Sequence, residues 1–305
     1  MTEAPQFAAP TLRVRLLALA LRLGSHLPLR VLHLVGGAIG RLPALLRTRE
    51  WRVATKNAEL CFPQLDAAAR RRFVHDALAA TGRSLAELAL VWGSAPRALA
   101  TIRETRGIEH LDAARAQGRG VIVAAPHLGA WELANLYLST LGPVTILYRV
   151  PQKPEYEALL VHARTVLGAE AIRAEARSVR TLFKRLAAGR KVGILPDQRP
   201  KSGEGVDAPF FGRPVRTMTL LSRLAERTGA PVVFGFAERL PRGAGYRVHF
   251  LPAPVGIADP DPVVATTALN RGIEQCIALA PTQYQWTYKR FSYRKPGSGP
   301  DKVYG

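Results

Sequence analysis

The sequence has few acidic residues and few cysteines, and each scarcity narrows the class of protein. Only 23 aspartates and glutamates stand against 43 lysines and arginines in 305 residues, so the net charge is +20. This excess predicts an anionic partner such as a membrane surface or a phosphorylated substrate. The two cysteines, Cys61 and Cys276, are too few for a disulfide framework or a metal-ligand cluster. Such usage fits a reducing compartment or the cytoplasmic face of a membrane.

Motifs for nucleic acids, nucleotides and serine hydrolysis are also missing. The chain has no zinc-finger spacing and no aromatic ribonucleoprotein motif, so we expect no nucleic-acid partner. The glycines around Gly205 are not followed by the Lys-Ser/Thr pair of a phosphate-binding loop, and no serine stands in a Gly-x-Ser-x-Gly elbow. A compositional bias toward arginine is the alternative explanation of the positive charge.

A long hydrophobic run is absent from the N-terminal region. The segment from Leu12 to Leu46 is rich in leucine, valine and alanine, but six arginines interrupt it: Arg13, Arg15, Arg22, Arg30, Arg41 and Arg47. Its longest uncharged stretch falls short of the ~18–20 apolar residues that a membrane-spanning helix needs. We therefore predict that residues 1–48 form membrane-associated amphipathic helices in the lipid interface. An ordinary core hairpin and a single tilted span are the alternatives.

The remainder of the chain changes from a helical pattern to alternating strands and helices. Apolar spacing predicts helix between Arg52 and Trp92, with Asp66 as an N-cap, although Gly82 interrupts the pattern. Strands are then predicted at Val121–Ala125, Val144–Tyr148, Lys191–Leu195, Pro231–Phe236 and Tyr246–Leu251. This alternation predicts an α/β fold with a mixed, mostly parallel sheet flanked by helices.

Residues 49–295 are predicted to form this single domain, followed by a loose C-terminal tail over residues 296–305. The Gly/Pro-rich stretch that ends at Pro214 is predicted to be a loop. Thr217 is predicted to cap the helix that follows it.

The stretch from Ala124 to Glu132 holds the residues best suited to catalysis. His127 follows a predicted strand, and sites in open α/β sheets form beyond the carboxyl ends of strands. We expect the Glu132 carboxylate to reach one nitrogen of the His127 ring, so that the other nitrogen accepts a proton from a hydroxyl. Asp197 ends a strand of its own and is expected to share this cleft. The alternative is a helix-capping histidine beside a surface glutamate.

The segment His127-Leu-Gly-Ala-Trp-Glu132 resembles the His-x4-Glu motif of the lysophospholipid acyltransferase superfamily. From about Arg13 to Arg290, the chain resembles the lipid A biosynthesis lauroyl/myristoyl acyltransferases. Further blocks resemble that family in order: Arg52…Asn57…Cys61-Phe62-Pro63, Gly193-Ile-Leu-Pro-Asp197-Gln198, Gly205 to Gly212 with Thr217, Ala230-Pro231-Val232-Val233, and Gln285-Trp286-Thr-Tyr-Lys289-Arg290-Phe291.

The resemblance implies a glycerolphosphate acyltransferase-like fold and a late acyltransferase of lipid A biosynthesis. Such an enzyme transfers a fatty acyl chain from acyl carrier protein to a hydroxyl of a Kdo-lipid A precursor, an anionic glycolipid, at the cytoplasmic face of the bacterial inner membrane. No metal or organic cofactor is expected, because acyl transfer to a hydroxyl needs a base and a stabilised oxyanion.

For individual residues, the resemblance implies His127 and Glu132 as the catalytic pair. It implies that Arg164, Asp197 and Gln198 bind substrate, and Arg149 is a further candidate for holding an anionic group. Two alternatives stay open at this point. One is a different acceptor, such as a phosphatidylinositol mannoside or another membrane glycolipid or phospholipid. The other is a non-enzymatic, basic protein that binds membranes or nucleic acid.

Overall fold

The computed structural model describes residues 7, 9–176, 178–200, 204–292 and 303–304. Within these residues the α-helices are α1 Leu12–Gly24, α2 Leu29–Leu45, α3 Arg49–Cys61, α4 Ala67–Ala86, α5 Leu88–Gly93, α6 Ala95–Leu99, α7 Ile108–Ala116, α8 Trp131–Thr140, α9 Glu157–Thr165, α10 Ser178–Ala187, α11 Leu220–Thr228 and α12 Pro262–Leu279. The strands are β1 Ile102–Arg106, β2 Val121–Ala124, β3 Val144–Tyr148, β4 Glu170–Arg173, β5 Lys191–Ile194, β6 Val206–Phe210, β7 Arg213–Thr217, β8 Val232–Arg239 and β9 Tyr246–Pro252.

Seven of these strands form one sheet in the order β1-β9-β8-β2-β5-β3-β4. Within it, β8 and β9 pair antiparallel and the other described neighbours pair parallel. Helices α7 and α8 pack on one side of the sheet, and α10, α11 and α12 pack on the other. The prediction of a mixed, mostly parallel sheet flanked by helices is therefore confirmed.

The pleat of β2 shows how the sequence fills both sides of this sheet. Val121 and Val123 belong to the hydrophobic cluster that includes Leu133 of α8, whereas Ile122 belongs to the cluster that includes Leu221 of α11. Because successive side chains of a strand point to opposite faces, a strand covered on both sides reads as a continuous apolar run. This is why the central strands were predictable.

Helix α2 packs against α4 with almost no side chain between the two backbones. A Cβ added to Gly40 would lie 2.4 Å from the carbonyl oxygen of Leu78, and one added to Gly82 would lie 2.1 Å from that of Gly36. Gly82, which interrupts the helical pattern of the sequence, is thus the residue that permits close contact. Helix α2 therefore packs directly against α4, and the N-cap residue of α4, Asp66, accepts a hydrogen bond from the Ala69 N–H at 2.7 Å as predicted.

Among the described residues, no single helix has the length and composition to cross a membrane. The consecutive helices α2 and α3 meet the requirement only together, and they are bent by 85° at their junction.

The structure corrects two predictions, one for the stretch that ends at Pro214 and one for Thr217. The stretch predicted to be a loop contains the antiparallel hairpin of β6 and β7, in which Pro209 pairs with Pro214. Thr217 is the last residue of β7 rather than a helix cap, and its hydroxyl oxygen accepts a hydrogen bond from Arg290. The helix begins later, at Leu220.

Most of the predicted C-terminal tail lies outside the described residues. Of residues 296–305, the structure describes Val303 and Tyr304. The Tyr304 hydroxyl donates a hydrogen bond to Asn57 Oδ1 at 2.6 Å.

Candidate active site

The sheet register brings His127 and Asp197 together. Strands β2 and β5 are parallel neighbours in which Ala124 pairs with Ile194, and the Ala125 N–H continues the ladder by donating to the Ile194 carbonyl at 2.9 Å. His127 and Asp197 each stand three residues past that pair, so they emerge side by side at the carboxyl edge. This is the edge at which open α/β sheets place their sites.

The Asp197 carboxylate binds both the ring and the backbone of His127. Its Oδ1 lies 2.8 Å from His127 Nδ1, and its Oδ2 accepts the His127 backbone N–H at 2.9 Å. Because a carboxylate only accepts hydrogen bonds, the ring proton resides on Nδ1 and Nε2 keeps its lone pair. The expectation that Asp197 shares the cleft with His127 is confirmed, and its carboxylate fixes the tautomer that a general base requires.

Burial alone would raise the pKa of the Asp197 carboxyl, which is 1% exposed. The positive charge of a protonated His127 ring and the hydrogen bonds from its ring and backbone N–H outweigh that effect and hold the pKa below its ordinary value. Asp197 therefore stays ionised at neutral pH, while the His127 side chain retains 15% exposure. The buried Asp197 carboxylate thus binds an imidazole that remains partly accessible to a substrate.

The loop that carries His127 is held between β8 and the segment around Gln283. Gly129 has φ +60°, and a Cβ there would lie 2.0 Å from the carbonyl oxygen of Ala237, so this position requires glycine. The Gly129 N–H donates to the Gln283 carbonyl at 3.1 Å, and the Ala130 N–H donates to that of Ala237 at 2.7 Å. The turn into α8 is therefore fixed by backbone hydrogen bonds to two separate segments, β8 and the segment around Gln283.

The predicted hydrogen bond between Glu132 and His127 is wrong. Arg164 of α9 binds the Glu132 carboxylate with two donors, Nε at 3.0 Å and Nη2. Trp131, the first residue of α8, places its ring 5.5 Å from the His127 ring. Since consecutive helical residues point about 100° apart, Glu132 is turned away from the ring and toward α9.

Glu132 and Arg164 form a largely buried ion pair. Burial alone would raise the pKa of the Glu132 carboxyl, but the charge and hydrogen bonds of Arg164 lower it below its ordinary value. The pair joins α8 to α9, and Asn135 of α8 adds a hydrogen bond from its amide nitrogen to the Arg164 carbonyl at 3.2 Å. Arg164, predicted to bind substrate, thus donates from two guanidinium nitrogens to Glu132.

Replacing Glu132 by glutamine should destabilise the fold in a pH-dependent way. Arg164 would keep a mostly buried charge without its carboxylate, which costs about 3–5 kcal/mol in the free energy of unfolding. Because the folded-state pKa is depressed, this contribution is present above the unfolded pKa of about 4.3 and is lost as the pH falls through the folded value. Denaturant unfolding of both proteins as a function of pH measures the difference.

The matched control for that measurement is Glu59→Gln, because Glu59 makes an exposed ion pair with Lys56 at 3.3 Å. An exposed pair contributes at most about 1 kcal/mol. Equal losses in the Glu132 and Glu59 variants would contradict the buried ion pair.

Gln198 lies beside His127 Nε2, the ring nitrogen that Asp197 does not bind. Its amide nitrogen is 3.3 Å from His127 Nε2 and donates to Gln285 Oε1 at 3.2 Å. The Gln285 backbone N–H in turn donates to the His127 carbonyl at 3.0 Å. Gln198 was predicted from the sequence. Gln285 was not assigned a role, although it opens the C-terminal block, which was the signal that could have identified it.

Arg149 lies at the same edge but apart from the ring. It follows β3 directly, is exposed, and donates from Nη2 to the carbonyl of Arg199 at 3.4 Å. Arg199 is the residue after Gln198, so Arg149 borders the loop that lines the site. The structure thus groups His127, Asp197 and Gln198 and places Arg149 at their margin.

An imidazole held in one tautomer by a buried carboxylate, with a side chain that is 15% exposed, is a candidate general base suited to activating a hydroxyl. The model of the bacterial lipid A biosynthesis acyltransferase family matches residues 3–293, so the chain belongs to that family and is an acyltransferase. This excludes the non-enzymatic alternative.

Individual relatives agree with the family assignment. The chain is 28% identical over 303 residues to the lipid A biosynthesis lauroyltransferase of Escherichia coli strain K12, covering 97% of this chain and 98% of that protein. It is 29% identical over 275 residues to the palmitoleoyltransferase of the same organism, covering 89% and 88%. It is 31% identical over 183 residues to the phosphatidylinositol mannoside acyltransferase of Mycobacterium tuberculosis, covering 58% and 56%.

Proposed function

We propose that the protein transfers a fatty acyl chain from acyl carrier protein to a hydroxyl of a Kdo-lipid A precursor, with His127 as the general base. The observation that carries the proposal is the 2.8 Å contact between His127 Nδ1 and Asp197, which leaves the lone pair of Nε2 to accept a proton once the Gln198 amide is displaced. The near full-length similarity to a lauroyltransferase of lipid A biosynthesis supports the acceptor class.

The reaction follows from this arrangement. His127 Nε2 takes the proton of the acceptor hydroxyl as its oxygen attacks the carbonyl carbon of the acyl-thioester. The tetrahedral intermediate collapses, the carbon–sulfur bond breaks, and the leaving thiolate receives the proton from the imidazolium. Asp197 stabilises the imidazolium between these two steps, because its carboxylate is buried and ionised. The products are an ester and a free thiol.

Gln198 has a part in both binding and transfer in this proposal. Its amide nitrogen, 3.3 Å from Nε2, marks the place that the acceptor hydroxyl takes when it binds. Displaced from the ring, the same amide is close enough to donate to the oxyanion that forms on the thioester carbonyl. Arg149, at the margin of the cleft, is the candidate for holding a phosphate of the acceptor.

The direct test is turnover by the purified protein with acyl-acyl carrier protein and a Kdo-lipid A precursor, followed by mass spectrometry of the lipid product. A product heavier than the precursor by one acyl group, with release of free carrier protein, is expected. The same assay should include a phosphatidylinositol mannoside as a second acceptor. The acyltransferase named for that lipid has the highest sequence identity of the three relatives, although over a shorter stretch. Acylation of that lipid alone would reassign the acceptor and keep the chemistry.

We further propose that α1 and α2 lie in the membrane interface at the cytoplasmic face of the inner membrane. Most of the large hydrophobic side chains that the described residues leave exposed are on these helices and their ends, among them Leu12 at 71%, Leu34 at 75% and Leu45 at 78%. Large apolar side chains left exposed in such number on neighbouring helices favour an interaction site. The interspersed arginines suit anionic headgroups, and the acyl acceptor is itself a lipid.

Replacing Leu34 and Leu45 by glutamate should release the protein from vesicles of phosphatidylethanolamine and phosphatidylglycerol. The two leucines stand eleven residues apart, close to three full helical turns, so both lie on one side of α2. Substitution is preferable to deletion, because removing α2 would uncover α4. Sedimentation at low and high salt is the measurement, with Leu279→Glu on α12, 48% exposed, as the control. Equal binding by both variants would contradict the proposed anchor.

A further inference from the structure

A buried ionic network joins the His127 loop to helix α2. Its members come from separate segments and each is at most 6% exposed: His33 of α2, Ser84 of α4, Glu87 after α4, Arg239 of β8 and Tyr246 of β9. None of these five side chains has a role in the proposed reaction. Burying this many polar groups costs folding free energy unless each of them is hydrogen-bonded. The stability of the network therefore depends on keeping its geometry.

Arg239 is the centre of this network. Its Nε and Nη2 bind the two oxygens of Glu87 at 2.8 and 2.7 Å, and Nη2 also donates to the Ser84 hydroxyl. The backbone carbonyl of Gly129 lies 2.7 Å from the same Nη2, whose two N–H bonds are thus shared among three acceptors. One guanidinium therefore binds both the C-terminal end of α4 and the His127 loop, because it presents several N–H donors in one plane.

The contact with Gly129 reaches the candidate base. Gly129 is two residues after His127, and its N–H is held by the Gln283 carbonyl while its own carbonyl is held by Arg239. Gln283 is fixed to Arg239 in turn, because its amide nitrogen donates to the Arg239 carbonyl at 3.0 Å and its Oε1 accepts the Arg239 N–H at 2.9 Å. The Arg239 side chain therefore holds the loop at the Gly129 carbonyl, and the Arg239 backbone holds the Gln283 side chain beside the same loop.

The other end of the network reaches α2. The Tyr246 hydroxyl donates to Glu87 Oε2 at 2.8 Å, and His33 Nε2 lies 3.1 Å from that hydroxyl and 3.4 Å from the same carboxylate oxygen. His33 belongs to the helix whose opposite surface carries the exposed leucines. The network thus connects the proposed membrane helix to the loop of His127 through three side chains.

We propose that Arg239 is a positioning residue for acyl transfer, holding the His127 loop at Gly129 and setting its place relative to α2. In this role it keeps the imidazole aligned with Asp197 and at a set distance from the helices proposed to lie in the membrane. The inference rests on the proposed function only in that acyl transfer is the activity measured.

The principal test is Arg239→Lys, which keeps the charge but replaces the fork with a single ammonium that cannot hold Glu87, Ser84 and Gly129 together. We expect kcat to fall about 100-fold, the loss that follows a misplacement of roughly 1 Å at a reacting group. The KM for the acyl donor and for the acceptor should change little, because Arg239 is buried and binds neither substrate in the proposed reaction. A role in folding alone would leave kcat of the folded protein intact.

Arg247→Lys is the matched control. Arg247 is on the neighbouring strand β9 and binds two carboxylates, Glu104 and Glu238, away from the His127 loop. This variant loses an arginine fork of the same kind in the same sheet, and its kcat should stay close to that of the wild type. Equal losses of kcat in the two variants would overturn the inference.

Hydrogen exchange gives a readout that needs no substrate. The amides of Gly129 and Ala130 are hydrogen-bonded in the loop, so they should exchange faster in Arg239→Lys and unchanged in Arg247→Lys. Unchanged exchange in Arg239→Lys overturns the inference whatever the activity. If the wild type does not turn over the substrates, the proposed function fails, and hydrogen exchange alone decides the role of Arg239.

A second variant covers the case in which Arg239→Lys does not fold. Glu87→Gln combined with Arg239→Met removes both charges of the buried pair, a change that proteins tolerate better than the loss of one partner. It also removes the donor to Gly129. The same loss of kcat and the same faster exchange support the inference, and wild-type values of either overturn it.

Discussion

Replacing His127 by alanine should abolish acyl transfer while the protein stays folded and bound to membranes. Loss of a general base costs on the order of 100- to 10,000-fold in rate. The fold should survive, because the backbone N–H that donates to Asp197 Oδ2 is retained in alanine. The measurement is turnover of acyl-acyl carrier protein in the presence of the lipid acceptor, normalised to folded protein by circular dichroism.

His75→Ala is the control for the loss of an imidazole. His75 lies on α4 and is exposed, so its removal should leave transfer unchanged. A folded His127→Ala protein that transfers acyl chains nearly as fast as the wild type would show that another group is the base.

Replacing Asp197 by asparagine should cost nearly as much as removing His127, again on the order of 100- to 10,000-fold in rate. An amide is neutral and no longer stabilises the imidazolium that forms when the hydroxyl loses its proton. If its nitrogen faces the ring, it also favours the tautomer with the proton on Nε2, which cannot act as a base. Because the two side chains are of nearly the same size, the effect on packing is small.

Asp112→Asn is the control, since Asp112 is 59% exposed and makes only a surface ion pair with Arg115. The double variant His127→Ala/Asp197→Asn should be little worse than either single variant, because groups that act as one unit lose their effect together. Losses that add in this cycle would show that the two residues act independently.

The strands that escaped prediction from the sequence are those at the edges of the sheet. The unpredicted β1 (Ile102-Arg-Glu-Thr-Arg106) and β4 (Glu170-Ala-Ile-Arg173) are the two outermost strands, and each carries charged side chains. Neither strand is fully buried, so neither needs a continuous apolar run, and charge on an edge strand also discourages pairing with other chains. The hairpin of β6 and β7 escaped for a related reason, because prolines on a short two-stranded sheet resemble a loop.

The candidate site was predictable in its location but not in its pairing. His127 and Asp197 could each be assigned to the end of a strand, because the apolar runs before them are unmistakable. Which carboxylate binds the ring depends on the register of β2 against β5, and Asp197 is 70 residues away along the chain. Glu132 is closer in sequence, yet the direction in which α8 turns sends its carboxylate to Arg164.

Patterns in consecutive residues were enough to establish the class of fold, the family and the place of the candidate base, because buried strands and family blocks are local features. The contacts of Asp197 with His127, of Glu132 with Arg164 and of Arg239 with Gly129 appear only in the folded chain. Each of these contacts joins segments far apart in the chain. Strand register and helix packing determine which residues meet in these contacts, and neither can be predicted from a short stretch of sequence.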